Sequence, residues 1–179
     1  LKPQPGYNNP TIVQINNYGL LNAIGLPNPG AKHYAQEIHE LKKTKPNAPI
    51  IASVFGYTQK EYAQTAEILT KAGADATELN ISCPHVEKTG SEIGQNPKLT
   101  AEVIKHVRNR TTKPVIAKLT PNITNIIETA EAATKAGADA ITATNTIRAM
   151  AIDIETQQPI LANKIGGLSG PAIKPVAIR

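Results

Sequence analysis

The hexapeptide Lys71-Ala72-Gly73-Ala74-Asp75-Ala76 recurs letter for letter as Lys135-Ala136-Gly137-Ala138-Asp139-Ala140. Each copy follows a segment of helical patterning, Thr58 to Lys71 and Asn122 to Lys135, and supplies a glycine where a helix would end. Each then leads into a short apolar run of strand character. Further strands are predicted at Ile50 to Phe55 and Val115 to Leu119, with a helix over Pro97 to Asn109. Short apolar strands that alternate with helices of this length require parallel neighbours, because a parallel pair needs a crossover connection of a dozen or more residues. The fold class is therefore α/β.

Periodicity leaves open whether such a sheet is flat or closed, and the polar residues are suggestive of closure. Ser53 lies late in one predicted strand, and Asn80, Lys118 and Asn145 end the next three. In a closed barrel these positions converge on one mouth, whereas an open sheet spreads them along an edge. A complete (β/α)8 barrel takes about 250 residues, and this chain has 179. The expectation is thus the central part of a TIM barrel. The chain starts at Leu1 in a Pro/Gly-rich stretch and stops at Arg179 inside a helix that begins at Pro171, which fits a piece of a longer protein.

With 40% hydrophobic and 18% charged residues, the composition is that of one globular domain. The formal charge of +5 comes from lysines and arginines scattered singly, and five Tyr with one Phe offer little for base stacking. Nucleic acid is not the expected partner, and the positive balance is compatible with anionic small molecules. No stretch reaches the roughly 18 uncharged apolar residues of a membrane span, and no signal-peptide pattern opens the chain. One cysteine makes no intramolecular disulfide, and a reducing, cytoplasmic setting is expected.

That cysteine lies in Asn80-Ile81-Ser82-Cys83-Pro84-His85, directly after a strand. A single cysteine is ordinarily a small buried hydrophobe, yet here it follows a barrel-mouth position and has a reference pKa of about 8.5, within reach of proton transfer. Asn22, Asn80 and Asn145 are neutral amides suited to a planar ring whose edge alternates C=O and N–H. Lys118 adds a fixed charge. Gly166-Gly167-Leu168-Ser169-Gly170-Pro171 has the chemistry of an anion-accepting turn, or of any tight strand-to-helix connection. Asn22-Ala23-Ile24-Gly25-Leu26-Pro27 is a loop with an apolar lip. Pro84 to Asn96 is expected to form a flap or a plain surface loop. His33, His39 and His106 fall in helical stretches without metal-ligand spacing, and no metal site is expected.

With these motifs in hand, the chain resembles the class 1 dihydroorotate dehydrogenases, above all the class 1B and archaeal catalytic subunits. The likeness runs through Asn22 to Leu26, Asn80 to Pro84, Ala117-Lys118-Leu119-Thr120-Pro121-Asn122, Asn145-Thr146, and Gly166 to Pro175. It implies an FMN-containing (β/α)8 barrel that oxidises (S)-dihydroorotate to orotate in pyrimidine (UMP) synthesis. Carried over motif by motif, Cys83 would be the base that removes the C5 proton as hydride leaves C6 for the flavin. Asn22, Ala23, Ile24, Gly25, Leu26, Asn80, Asn145 and Thr146 would hold the pyrimidine. Asn80, Lys118, Thr144 and Gly170 would contact FMN, with Lys118 stabilising the charge of the reduced ring. Residues 1–179 would then be a partial barrel domain, without the strand that carries the family's substrate-binding lysine and without the flavin-phosphate region, and inactive in isolation. An iron–sulfur, FAD-containing subunit linking to NAD is the implied partner, in a homo- or hetero-oligomer. His85 departs from the asparagine common in this family. The rival resemblance is to the uracil- and thymine-reducing domain of dihydropyrimidine dehydrogenase, which also shows Ser-Cys-Pro-His, and a non-catalytic phosphate-binding barrel is the reading from another class.

Overall fold

The computed structural model describes residues 1–81 and 90–179. In chain order the elements are β1 (Ile12–Ile15), β2 (Gly19–Asn22), α1 (Ala31–Thr44), β3 (Ile51–Val54), α2 (Gln59–Lys71), β4 (Ala76–Asn80), α3 (Gly90–Gln95), α4 (Pro97–Arg108), β5 (Val115–Lys118), α5 (Ile126–Lys135), β6 (Ala140–Thr142), β7 (Ile147–Ala149), β8 (Ile152–Asp153), β9 (Gln158–Pro159) and β10 (Gly166–Ser169). A 3-10 turn over Pro171–Ile173 and α6 (Lys174–Ile178) follow.

The predicted parallel sheet is present, with β3, β4, β5 and β6 side by side in chain order. Its alternation is strict: Ala52, Val54, Leu79, Val115 and Ala117 point to one face, where Tyr62, Ala66 and Leu69 of α2, Val103, Ile104 and Val107 of α4 and Ala133 of α5 cover them in a single core. Full burial of each large apolar side chain there contributes about 1.5–3 kcal/mol. The helices start where the sequence offers caps. Thr58 accepts the Glu61 N–H at 3.2 Å, and Asn96 accepts from Lys98 and Leu99 at 3.0 and 3.1 Å with Pro97 next to it.

The repeated hexapeptide performs the same structural task twice. Gly73 and Gly137 sit at φ +119° and +104° just past α2 and α5. Two residues on, an aspartate reaches back to the start of the preceding strand. Asp75 Oδ2 accepts Ile50 N–H at 2.8 Å and Lys42 Nζ at 2.7 Å, and Asp139 Oδ2 accepts Val115 N–H at 2.8 Å and Arg108 Nη1 at 3.0 Å. Lys42 and Arg108, near the ends of α1 and α4, each donate also to a loop carbonyl, that of Ala48 or Lys113. Each joint thereby clips a helix end, a strand start and a loop together.

A second, antiparallel sheet, order β1-β2-β10-β7, has no counterpart in the sequence reading. Leu21, Ala23 and Leu161 form its small core. Gly166 to Ser169, expected as a turn, is a strand of this sheet. The room its glycines leave is taken by protein: a Cβ at Gly166 would lie 2.6 Å from the Asn22 carbonyl, and one at Gly167 would lie 2.1 Å from Thr146 Oγ1. Two other boundaries shift. The helix expected from Asn122 starts at Ile126, and Gly90–Gln95, within the expected loop, is α3.

Candidate functional site

The face of the parallel sheet turned away from the helices is polar. Asn80 at the end of β4 is the register partner of Lys118 at the end of β5, and Lys118 is the partner of Thr142 in β6. Glu78 lies two residues before Asn80, so it shares that face, opposite Ser53 and Ile116. Its Oε1 is 3.4 Å from Lys118 Nζ, and its Oε2 accepts the Thr142 hydroxyl at 2.8 Å.

Past β6 the chain returns across this sheet end. Asn145 N–H donates to the Leu119 carbonyl at 2.9 Å, its Nδ2 donates to Asn80 Oδ1 at 3.1 Å, and its Oδ1 accepts Thr146 N–H at 2.8 Å. From behind, the buried Tyr62 of α2 donates its hydroxyl to the Asn80 carbonyl at 2.9 Å. The antiparallel sheet brings in the next amide. Asn22 ends β2 as the partner of Gly167, to whose carbonyl its Nδ2 donates at 3.2 Å, and Gly167 packs against Thr146. Asn22, Asn80 and the Asn145-Thr146 pair, from three separate parts of the sequence, thus form one connected set beside Lys118.

The remaining expected residues divide. Ala23 is buried in the small core, and its N–H donates to the Thr11 carbonyl at 2.7 Å. Ile24 accepts Tyr7 N–H at 2.9 Å, and Gly25 and Leu26 turn the loop at φ +79° and +56°. Thr144 holds its Oγ1 buried and, among the described residues, without a hydrogen-bond partner. Gly170 lies away from the amides, against Tyr18 and Gly19. The turn after it has engaged its N–H groups internally: Ala172 donates to the Tyr18 carbonyl at 3.0 Å and Ile173 to that of Gly170 at 3.2 Å. Cys83 and His85 lie outside the described residues. Ile81, two residues before Cys83, is buried, and α3 packs so tightly over it that a Cβ at Gly94 would lie 2.6 Å from its carbonyl oxygen.

Two residues escaped the sequence reading. Glu78 is an acid in an apolar strand, and its spacing of two from Asn80 was the available signal. Asn122 lies in a quoted motif but had no role; its Nδ2 donates to the Thr146 carbonyl at 3.2 Å and its Oδ1 accepts Arg148 N–H at 2.9 Å, which fixes the strand that follows the site. The histidines stay on helices: His33 contacts Glu37 at 3.1 Å, and His106 the Glu102 carbonyl at 2.8 Å. Among the described residues there is no cluster that could hold a metal ion and no helix long and apolar enough to cross a membrane.

Comparison with known proteins gives this geometry a family. The solved structure of Rhizobium etli pyruvate carboxylase with acetyl coenzyme-A is similar in fold alone, with a TM-score of 0.51 and 20% identity over 65% of this chain and 10% of that one. Among curated proteins, the dihydroorotate dehydrogenase B (NAD(+)) catalytic subunit of Pyrococcus abyssi is 53% identical across all of this chain and 58% of its own length. The protein of the same name from Methanocaldococcus jannaschii is 49% identical, again over 58% of its length. This chain therefore spans somewhat more than half of the relatives it matches. A dihydroorotate dehydrogenase family model matches residues 1–179, and the chain belongs to that family.

Proposed function

We propose that the protein of which this chain is part oxidises (S)-dihydroorotate to orotate, with FMN as the hydride acceptor, in pyrimidine synthesis. The observation that carries this reading is the connected set of Asn22, Asn80, Asn145 and Thr146 beside Lys118. Amides that both donate and accept match a ring edge of alternating C=O and N–H groups. Reorienting the Asn80 or Asn145 amide would break the bond between them, and reorienting Asn22 would break its bond to the Gly167 carbonyl, so each amide favours one order of donors and acceptors.

The residues present also fit a flavin. The buried Thr144 hydroxyl has no partner among the described residues, and Lys118 offers a cation on the face where Asn80 lies. Asn80, Lys118 and Thr144 would hold the ring; Gly170, set apart from them here, would reach it through the main chain. When bound, the flavin supplies a two-electron sink for the hydride that leaves the substrate. Cys83, three residues beyond Asn80, takes the C5 proton as its thiolate. The carboxylate of the substrate distinguishes it from uracil and favours a site with Lys118 nearby and a net positive chain. The relatives' printed name, the catalytic subunit of an NAD(+)-linked enzyme, supports a partner subunit, and we propose that this partner carries the iron–sulfur and FAD groups that pass electrons to NAD. We infer further that the parallel sheet is the central part of a closed (β/α)8 barrel, since its helix-covered face is apolar and its other face carries Glu78, Asn80 and Lys118.

The test is anaerobic mixing of the full-length, FMN-loaded protein with dihydroorotate and, separately, with dihydrouracil. Rapid bleaching of the flavin by dihydroorotate alone is expected. Bleaching by dihydrouracil instead would move the assignment to uracil reduction, and no bleaching by either would overturn the reading.

A further inference from the structure

We propose that Glu78 is a positioning residue that holds the Lys118 ammonium and offsets its charge, and so sets how strongly the site favours a reduced cofactor. This rests on the function proposed above. Lysine is a compact charge on a flexible four-carbon stem, and its place is decided by what it touches. Here the touch is the Glu78 carboxylate at 3.4 Å, itself held at its other oxygen by Thr142 at 2.8 Å. All three groups stand on the polar face of neighbouring strands, and the Glu78 and Lys118 side chains are only 21% and 30% exposed, so water screens the pair weakly.

The geometry has a directional consequence. Glu78 lies one side-chain step deeper along β4 than Asn80, so it draws the ammonium toward the floor of the sheet and away from the strand ends where the amides sit. A cation near a group that gains negative charge stabilises the reduced form. A carboxylate paired with that cation opposes the effect. Glutamine at position 78 keeps the shape and can still accept from Thr142, while it removes the opposing charge.

The measurement is the two-electron midpoint potential of the full-length, FMN-loaded protein by dye equilibration, with flavin content and circular dichroism as folding checks. Glu78→Gln is expected to raise the potential, by about a tenfold stronger preference for the reduced state, which is ~30 mV for a two-electron couple. Glu78→Ala, which removes the same charge without the glutamine amide, is expected to shift it the same way, and serves if Glu78→Gln does not fold. An unchanged or lowered potential in a flavin-loaded variant overturns the assignment of Glu78. A wild-type protein that binds no flavin, or is not bleached by dihydroorotate, overturns the proposed function itself, and the role of Glu78 with it.

Discussion

Asn80 is held from two directions, by Tyr62 at its carbonyl and by Asn145 at its side chain, so if it binds the ring as proposed, its placement can be altered without touching the ligand. Tyr62→Phe removes one donor inside the core and is expected to cost about 1 kcal/mol of stability. Orotate binding to the full-length protein should weaken with it, as isothermal titration would show; unchanged affinity would mean that Asn80 keeps its place without the tyrosine. Gly167→Ala tests the other end of the set, because its new methyl would overlap Thr146 Oγ1. Overpacking of this kind costs about 1–3 kcal/mol, and here a larger loss is expected in orotate affinity than in melting temperature. If Cys83 is the base as proposed, its replacement by alanine should slow flavin reduction by about 10²–10⁴-fold, the usual contribution of a general base, with serine retaining some rate at high pH. Asn80 and Lys118 were legible as strand ends because each closes a short apolar run, whereas Asn145 lies three residues beyond β6 and Asn22 carries the signal of a loop start. Glu78 was not legible, since a four- or five-residue strand is too short for alternation to mark one internal acid as facing a site.

Among the elements, the two clips make the clearest prediction. The Lys42 ammonium, and after it the Ile50 N–H, hold the Asp75 carboxyl below its ordinary pKa. A depressed folded-state pKa stabilises the fold above the unfolded value, about 3.9, and that contribution is lost as pH falls through the folded value. Asp75→Asn should therefore lower the melting temperature near neutrality and flatten its fall below about pH 4, whereas an unaltered acid limb would assign the acid loss to other carboxylates. The parallel elements were readable because their joints are local: glycine, aspartate and an apolar run lie within six residues of one another. The antiparallel sheet was not, because its pairing of Asn22 with Gly167 joins segments far apart in sequence. Its glycines also imitate a turn when the neighbours that require them are unseen.

For the whole molecule, β3 and β6 are the edges of the parallel sheet among the described residues. Beside β6 lies an apolar groove of about 380 Å³ lined by Leu119, Ile126, Ile127, Ala130, Ile141 and Ala143. If the full-length protein closes a barrel, Ile141→Lys should destabilise it by about 1.5–3 kcal/mol, the worth of a buried side chain of this size. Ile154→Lys, at a position 88% exposed here, should be nearly neutral in the same denaturant titration. Equal tolerance of both would leave the sheet open. The duplicated joint carries one more implication, for how the chain finds its fold. Two identical hexapeptides offer the same aspartate to two strand starts; if either can meet either, a collapsing chain would on occasion seat the second copy where the first belongs. What separates right from wrong is the strand that each joint launches. Placed between two neighbours, Thr77-Glu78-Leu79-Asn80 finds Thr142 and Lys118 for its acid and Asn145 for its amide; exchanged to the outer place, it leaves a carboxylate and an amide short of partners. The polar residues that make the site would then also act as its address label, and a variant made wholly apolar at Glu78 and Asn80 should refold more slowly, through a population with the two units transposed.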